Sequence, residues 1–433
     1  MKNNSNTSVA ALARAIKADG FHMASLSEAA RNGALDAISK ALSRHAAAIF
    51  AANDEDLAAG VREGLPDPIM KRLRFDENKL RDARAGMAEL IALPDPLFQT
   101  QLHRELDEGL VLRRVSCPIG VIGVIFESRP DALIQIAALC LKSGNCTILK
   151  GGSEAARTNK ILFDVIFEAG VSAGLPKGFL TLVETRSDIN ELLACHESID
   201  LLIPRGSNAF VRYIMDNSSI PVMGHADGIC HIYADESADV EKSVRVIRDA
   251  KTQYAAVCNA VETLLVHRGA AAGLLPAVFA DLRARGVRVK GCPETRKFIP
   301  EAEEAAEADF ATEYLDYILS VKIVESLDAA IAHINKYGSH HTDAILTEDD
   351  AATERFMLLV DSAGVYRNCS TRFADGFRYG FGAEVGVSTG KLHARGPVGL
   401  SGLVTYKYEL RGDGHTVGDY AEGRRDFHFK DLS

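Results

Sequence analysis

The stretch that most suggests chemistry is QYAAVCNAVETLLV, residues 253–266, in which Cys258 stands between Val257 and Asn259. A cysteine among apolar residues is usually a packing residue, because free thiols are among the most buried side chains. An accessible and partly ionised thiol would instead be a nucleophile. The residues around Cys258 leave both interpretations open.

Three other stretches place charged residues or glycines where a predicted strand ends. In the first, an apolar run leads into Arg129, which could bind a phosphate or carboxylate, or simply form an ion pair with Glu127. The second ends in Lys150 before two glycines, and the third ends in Gly206 and Ser207. Each of these two precedes a predicted helix N-terminus, where free N–H groups favour anions. The repetition favours a nucleotide lying across the sheet edge.

The elements that position these residues alternate in the order strand, helix, strand, which predicts a parallel α/β sheet. The predicted strands are 121–126, 147–150, 180–183 and 201–203, and the predicted helices include 131–142 and 153–169. Upstream, the pattern predicts two helices over 8–60, a linker at Asp67-Pro68, a charged helix over 69–93 and an alternating strand near 102–118. A second α/β region begins after about Gly228. The glycine fingerprint GxGxxG follows none of the predicted strands.

Bulk properties narrow the class of protein. The 433 residues are enough for two or more domains, and the net charge of −10 argues against nucleic-acid binding. We expect no membrane span, since no apolar run approaches the roughly 20 residues required, and no signal peptide. The scattered cysteines predict a reduced, cytoplasmic protein. We expect no metal site, because the adjacent His340 and His341 would point apart.

Five segments resemble the gamma-glutamyl phosphate reductase family, the glutamate-5-semialdehyde dehydrogenases of proline biosynthesis within the aldehyde dehydrogenase superfamily. They are IGVIGVIFESRPDALIQIAALCLKSGNCTILKGGSEA, DLLIPRGSNAFV, PVMGHADGICHIY, VCNAVETLLV and RYGFGAEVGVSTGKLHARGPVGL. The segment VESLDAAIAHINKYGSHHTDAI also fits the family signature, which accounts for the two adjacent histidines. The similarity extends from about Ala11 to Arg411, and the last 20 or so residues are less typical.

The resemblance implies an aldehyde-dehydrogenase-like α/β fold with three parts. A Rossmann-like cofactor domain comprises residues 1–101 and 119–228, and an α/β catalytic domain comprises 229–395. A β-strand oligomerisation arm and C-terminal segment comprise 102–118 and 396–433. The arm implies a homodimer or a higher homo-oligomer.

The resemblance also implies a reaction, the NADPH-dependent reduction of L-glutamyl 5-phosphate to L-glutamate 5-semialdehyde through a thioester on Cys258. Arg129 stands where hydrolytic relatives have an oxyanion-hole asparagine, and we expect it to stabilise the oxyanion and the departing phosphate. His225 stands where those relatives have the glutamate that activates water, unless it is only structural. It therefore disfavours the alternative, a hydrolytic NAD(P)-dependent aldehyde dehydrogenase with a different substrate. A non-catalytic protein of the same fold is disfavoured because the nucleophile and cofactor positions are intact.

By the same resemblance, the cofactor-binding residues are Lys150, Ser153, Gly206, Ser207 and Glu313. NAD-specific relatives often have an acidic residue where Ser153 stands, so we expect the site to accept NADP(H). The substrate-binding candidates are Asn259, Asn368 and Ser370. A transient contact with glutamate 5-kinase, which supplies the labile acyl phosphate, is a further expectation.

Overall fold

The computed structural model describes residues 8–183, 188–225 and 227–432. The chain divides into two compact units, which we call the first unit (1–223, 381–385 and 398–433) and the second unit (224–380 and 386–397). No helix within the described ranges is both long and apolar enough to cross a membrane.

The helices, in chain order, are α1 (Val9–Ser25), α2 (Glu28–Arg44), α3 (Ala46–Arg62), α4 (Asp67–Leu73), α5 (Glu77–Ala92), α6 (Pro130–Lys142), α7 (Ala156–Ser172), α8 (Asp188–Leu193), α9 (Asn208–Asn217), α10 (Val240–Thr252), α11 (Arg268–Arg283), α12 (Pro293–Arg296), α13 (Leu327–Tyr337), α14 (Asp350–Leu359) and α15 (Val417–Ala421). The strands are β1 (Thr100–Asp107), β2 (Leu110–Pro118), β3 (Val121–Phe126), β4 (Cys146–Gly151), β5 (Leu180–Val183), β6 (Leu201–Arg205), β7 (Cys230–Ala234), β8 (Val261–His267), β9 (Arg288–Gly291), β10 (Glu303–Glu304), β11 (Ile318–Val324), β12 (Thr342–Leu346), β13 (Gly364–Arg367), β14 (Gly386–Ser388), β15 (Gly396–Val398), β16 (Val404–Arg411) and β17 (Lys430–Asp431).

The N-terminal helices differ from the prediction in three places. Residues 9–62 form three helices rather than two, because α2 and α3 are separated only by His45 and the apolar spacing hardly changes there. The single helix predicted over 69–93 is divided at residues 74–76 into α4 and α5. The predicted linker at Asp67-Pro68 instead begins α4. Proline is well tolerated in the first turn of a helix, where its missing N–H is not needed.

The core of the first unit is a parallel sheet in the order β5-β4-β3-β6. The predicted strands are confirmed: β3 and β5 have the predicted bounds, and β4 and β6 are each two residues longer than predicted. β3 is buried along its whole length, as expected of a central strand with both faces covered. Phe126, the last residue of β3, is in register with Gly151 and Arg205, so the three strands end at one edge.

The first unit also contains an antiparallel sheet in the order β16-β2-β1-β17, which we call the arm sheet. The alternating stretch near 102–118 forms a β1–β2 hairpin that turns at Gly109, whose φ is +76°. The C-terminal segment packs on this hairpin. Tyr420 Oη donates to Asp107 Oδ2 over 3.0 Å, Arg425 Nε donates to the same oxygen over 2.7 Å, and β17 pairs with β1. The least typical part of the sequence therefore completes the arm sheet.

The second unit is built on a seven-stranded sheet in the order β10-β9-β11-β8-β7-β12-β13, with parallel pairing. Strands β7 and β12 are fully buried, and β8 is buried except at its last residue, which is half-buried. Cys258 comes shortly before β8, Gly228 shortly before β7, and His341 immediately before β12. Because these three strands are neighbours and parallel, the three residues meet at the amino edge of the sheet.

Candidate active site

Cys258 is half-buried in the turn that joins α10 to β8. The backbone of Gly228 approaches this turn so closely that a Cβ at residue 228 would lie 2.2 Å from the carbonyl oxygen of Cys258 and 2.4 Å from its Cα. On the same carbonyl oxygen, the Cys230 thiol donates a hydrogen bond over 3.3 Å. Glycine at 228 is therefore required by close approach, and it fixes the backbone that carries the thiol.

Two imidazoles accompany the thiol. The donor atoms of His225, Cys258 and His341 lie within 4.8 Å of one another, and the two rings meet edge to face with centroids 4.9 Å apart. His225 Nδ1 lies 2.8 Å from the carbonyl oxygen of Val387. A carbonyl can only accept, so Nδ1 of His225 carries the proton.

His341 is fully buried, and its Nδ1 lies 3.0 Å from Thr342 Oγ1. Its Nε2 is also buried and has no hydrogen-bond partner among the residues described. From the sequence, His341 was explained only as part of the family signature. Its place beside Cys258 follows from β12 being next to β7 in the sheet, and no local sequence pattern contains that information.

Two imidazoles and one thiol are donor types that could bind a soft divalent ion such as Zn²⁺. The adjacent His340 is not one of the three. Its backbone has a positive φ of 61°, and its ring faces the carbonyl oxygen of Asp361. The adjacent histidines thus point apart, as their spacing predicted, and only His341 belongs to the cluster.

The other thiols differ in how readily they ionise. Burial raises the pKa of both Cys140 and Cys146 to about 12, and it raises that of Cys230 well above its ordinary value. For Cys292, burial raises the pKa, but hydrogen bonds from the Thr295 hydroxyl and from backbone N–H groups outweigh this and lower it overall. Cys292 is therefore a thiol expected to react with alkylating agents, although no local sequence pattern marks it.

The three predicted substrate-binding residues all form hydrogen bonds within the second unit. Asn259 donates through Nδ2 to the carbonyl oxygen of Ala374 over 2.9 Å, and the Asn368 amide pairs with both backbone groups of Thr347. Ser370 Oγ accepts from the backbone N–H of Arg372. These bonds hold the loop that follows β13, and contact with substrate stays a prediction.

A buried ion pair joins a lysine seven residues before the thiol to a glutamate four residues after it. Lys251 Nζ and Glu262 Oε2 are 2.6 Å apart, and both side chains are fully buried. Burial raises the pKa of Glu262 to about 7, against the opposing charge of Lys251, and the charge of Glu313 adds to the rise. The predicted ribose-binding Glu313 is half-buried between the 3₁₀ helix Glu307–Ala311 and β11.

The carboxyl edge of the first sheet carries the other predicted residues. The Ser207 N–H, at the start of α9, donates to Glu127 Oε2 over 2.9 Å, and a Cβ at Gly206 would lie 2.5 Å from the same oxygen. A carboxylate already accepts from this helix N-terminus, so the position suits an anion such as a pyrophosphate. Lys150 is buried, and its Nζ donates to the carbonyl oxygen of Gly151 over 2.6 Å.

Ser153 is exposed at the start of a 3₁₀ helix. The neighbouring Glu154 carboxylate accepts from Ser128 Oγ over 2.7 Å. Arg129 is exposed immediately before α6. The expected alternative role for Arg129, an ion pair with Glu127, is not present within the described ranges, where Glu127 instead accepts from Ser207.

Comparison with known proteins agrees with this geometry. The model of the aldehyde dehydrogenase family matches residues 2–296. Gamma-glutamyl phosphate reductase of Acetivibrio thermocellus is 56% identical over 97% of both chains, and gamma-glutamyl phosphate reductase 1 of Synechocystis is 54% identical over the same shares. The chain belongs to the gamma-glutamyl phosphate reductase family. It is therefore an oxidoreductase, and the family predicted from the sequence is confirmed.

Solved structures support the fold. The crystal structure of gamma-glutamyl phosphate reductase from Thermotoga maritima is 38% identical, covers 94% of this chain and 98% of its own, and superposes with a TM-score of 0.92. An acetylating aldehyde dehydrogenase from Geobacillus thermoglucosidasius, at 17% identity and a TM-score of 0.64, shares the fold. The predicted aldehyde-dehydrogenase-like architecture is confirmed.

Proposed function

We propose that this chain reduces L-glutamyl 5-phosphate to L-glutamate 5-semialdehyde and phosphate in proline biosynthesis, with Cys258 as the nucleophile. The observation that carries the proposal is the half-buried thiol at the amino edge of the second sheet, beside two imidazoles and fixed by the backbone of Gly228. The substrate is proposed from the names of relatives that are more than half identical to this chain, which are gamma-glutamyl phosphate reductases.

The thiol divides a difficult reduction into two easier steps. The Cys258 thiolate attacks the acyl carbon, a C–S bond forms, and the C–O bond to phosphate breaks with its electron pair leaving on phosphate, which takes up a proton. When bound, NADPH supplies the hydride that reduces the thioester. The resulting oxyanion re-forms its C=O bond, the C–S bond breaks, and the electron pair returns to sulfur as the semialdehyde is released.

His225 and His341 are the described bases nearest to the thiol, and either imidazole can take the thiol proton. No carboxylate stands at position 225 to activate water, so the thioester is expected to persist until hydride reaches it. This supports the phosphate-linked reaction over a hydrolytic aldehyde dehydrogenase.

The first unit is the proposed NADP(H)-binding part. The Ser207 N–H and the glycine at 206 suit the pyrophosphate, provided that the Glu127 carboxylate gives up its bond to that N–H. Lys150 and the uncharged Ser153 favour a 2′-phosphate, because neither repels it. Arg129 stays the proposed oxyanion-stabilising residue, and Glu313 the proposed partner of the nicotinamide ribose.

The proposal extends to the oligomeric state, the cellular location and a partner enzyme. The arm sheet is the surface proposed to join copies of this chain into a homodimer or a higher homo-oligomer. We place the enzyme in the cytoplasm, where glutamate 5-kinase would deliver the labile acyl phosphate through a transient contact.

The proposal is tested in the reverse direction, with glutamate-5-semialdehyde and NADP⁺. NADPH should form over many turnovers only when phosphate or arsenate is present. Cys258→Ala should abolish turnover while leaving NADPH binding and the melting temperature nearly unchanged, and the control Cys292→Ala should keep its activity. In a Cys292→Ala background, iodoacetamide should label Cys258 fastest.

Two results would contradict the proposal. Activity that survives Cys258→Ala would remove the nucleophile from that position. Sustained turnover without phosphate or arsenate, with glutamate as product, would make water the acceptor and favour the hydrolytic dehydrogenase.

A further inference from the structure

Arg372 is a buried cation that has no acidic partner in contact among the residues that the structure describes. The residue is only 8% exposed, and it lies in the 3₁₀ helix Thr371–Phe373. Its Nε donates to Gln253 Oε1 over 2.9 Å. Within the described ranges, neither Nη1 nor Nη2 donates a hydrogen bond, and no carboxylate oxygen lies within 4.0 Å. Its own carbonyl oxygen accepts from a second cation, Arg378, over 2.8 Å.

The 3₁₀ helix that carries Arg372 is bonded directly to the residue after the nucleophile. Thr371 Oγ1 donates to the carbonyl oxygen of Asn259 over 2.7 Å, and Asn259 Nδ2 donates to the carbonyl oxygen of Ala374 over 2.9 Å. Gln253, the partner of the guanidinium, lies five residues before Cys258 in the same turn. The segments on both sides of the thiol thus contact the Arg372 segment.

The electrostatics are consistent with that placement. Burial lowers the pKa of Arg372, and the charge of Arg378 lowers it further, whereas a thiolate at Cys258 and the carboxylates of Asp375 and Asp249 oppose the fall. Isolated buried cations are costly, and native structures keep them paired. An arginine that keeps its planar pair of terminal nitrogens unbonded beside a nucleophile has the donor geometry that phosphate oxygens accept.

We propose that the guanidinium of Arg372, supported by Arg378, binds the phosphoryl group of the acyl phosphate in the forward reaction and inorganic phosphate in the reverse reaction. This proposal rests on the proposed function, since it needs a phosphorylated substrate at Cys258. Arg372 would hold the leaving group while the C–O bond breaks and would stabilise the charge that gathers on phosphate. The same contact positions phosphate to attack the thioester in reverse.

The test measures three Michaelis constants in the reverse direction, for phosphate, semialdehyde and NADP⁺, in the wild type and in Arg372→Met and Arg372→Lys. Losing a charge-assisted bidentate contact should raise the KM for phosphate by about 100-fold in Arg372→Met and about tenfold in Arg372→Lys. The other two constants should change less than about threefold. Arg367→Met is the matched control, because Arg367 lies in the same segment but pairs with Asp350.

A second readout separates phosphate binding from a structural role. Without phosphate, the semialdehyde and NADP⁺ should give a single burst of NADPH as the thioester forms on Cys258, and Arg372→Met should keep that burst amplitude. A loss of the burst, or an equal rise in all three Michaelis constants, would mean that Arg372 only holds the turn and would overturn the proposal.

The remaining outcomes are also decisive. If Arg372→Met does not fold, the KM for phosphate of Arg372→Lys is compared with that of the wild type. Lysine keeps the positive charge and removes only the planar pair of terminal nitrogens. An unchanged KM for phosphate in the folded variants would overturn the assignment of Arg372 while leaving the proposed function intact. A wild type that turns over without phosphate would instead overturn both proposals.

Discussion

The two units build open parallel sheets in the same way, yet they place their candidate functional residues at opposite edges. In the first unit, Glu127, Gly206 and Ser207 lie at the carboxyl edge, where α9 begins. In the second unit, Gly228, Cys258 and His341 lie at the amino edge. Helix N-termini face the carboxyl edge and helix C-termini the amino edge. The carboxyl edge of the first sheet therefore suits an anionic cofactor without help from side chains.

The amino edge of the second unit needs such help. Helix α10 ends at Thr252, just before the turn that carries Cys258, and α13 ends at Tyr337, just before His341. Their C-terminal ends carry partial negative charge, which disfavours a thiolate or a phosphate nearby. The buried Arg372 supplies the opposite sign. An anion can therefore be handled at either edge of a sheet, by backbone N–H groups at one and by a side-chain cation at the other.

The carboxyl edge of the second sheet also has a cavity, of about 430 Å³, lined by residues that include Asp235, His267, Asp349 and Arg355. His267 is the last residue of β8, whereas Cys258 precedes its first residue. The strand spans roughly 20 Å, at about 3.3 Å per residue. The cavity is therefore separate from the cluster of Cys258, His225 and His341, and we do not assign it a role in the reaction.

The largest expected effect comes from Gly228→Ala. The added Cβ would meet backbone atoms of Cys258 at 2.2–2.6 Å, and backbone cannot move aside as a flexible side chain can. A displacement of the nucleophile by about 1 Å is expected to lower kcat by about 100-fold. The control is Gly273→Ala in α11, where nothing lies within 4 Å of the new Cβ. If steady-state kinetics give equal kcat values for the two variants, the position of Cys258 does not depend on glycine at 228 as predicted.

The second effect concerns pH and stability. Within the described ranges the buried histidines are His231, His333 and His341, all in the second unit. Burial, reinforced by the charges of His231 and nearby lysines, lowers the pKa of His333 to about 3. A histidine whose folded pKa is depressed stabilises the fold above pH 6.5, and that contribution is lost as pH falls toward 3. We expect about 2 kcal/mol of stability to be lost at pH 5 relative to pH 8.

The measurement is urea unfolding at several pH values for the wild type, His333→Gln and the exposed control His196→Gln. The loss between pH 8 and pH 5 should shrink in His333→Gln and remain in His196→Gln. If the free energy of unfolding falls equally with pH in all three proteins, the buried imidazole of His333 does not cause the loss of stability.

The smallest expected effect tests the carboxyl edge of the first unit. Ser153→Glu should lower the preference for NADPH over NADH by about tenfold through like-charge repulsion of the 2′-phosphate. Ser172→Glu, at the exposed end of α7, is the control for added charge. The ratio of kcat/KM values for the two cofactors is the readout. A wild type that prefers NADH would contradict the NADP(H) assignment.

Local patterns in the sequence predicted what is local in the structure. The bounds of β3 follow from its apolar run, and the anion-suited start of α9 follows from Gly206 and Ser207. Cys258 was identified only through the family resemblance, because its local sequence fitted a packing residue equally well. The association of Cys258 with His341 depends on the order β8-β7-β12, and that order is set by long-range pairing.

Non-local packing also explains what the sequence missed elsewhere. Gly228 matters because of a backbone 30 residues further along the chain, and the turn chemistry around it shows nothing of this contact. The family resemblance indicates Asn368 and Ser370 rather than Arg372, but these two side chains already bond to Thr347 and to the Arg372 backbone. That no described carboxylate contacts Arg372 becomes visible only when its neighbours are known.

The arm sheet has one further consequence. Its two borders differ: β17, which pairs with the outer side of β1, is two residues long, whereas β16, which pairs with β2, is eight residues long, and the outer side of each is unpaired among the residues described. A two-residue border strand offers few N–H and C=O groups for pairing with another chain, whereas the eight residues of β16 offer a long row of them. We therefore expect copies of this chain to associate through β16 rather than through the β17 border. A preparation shortened before Lys430 would leave the longer β1 as a border and favour aggregation.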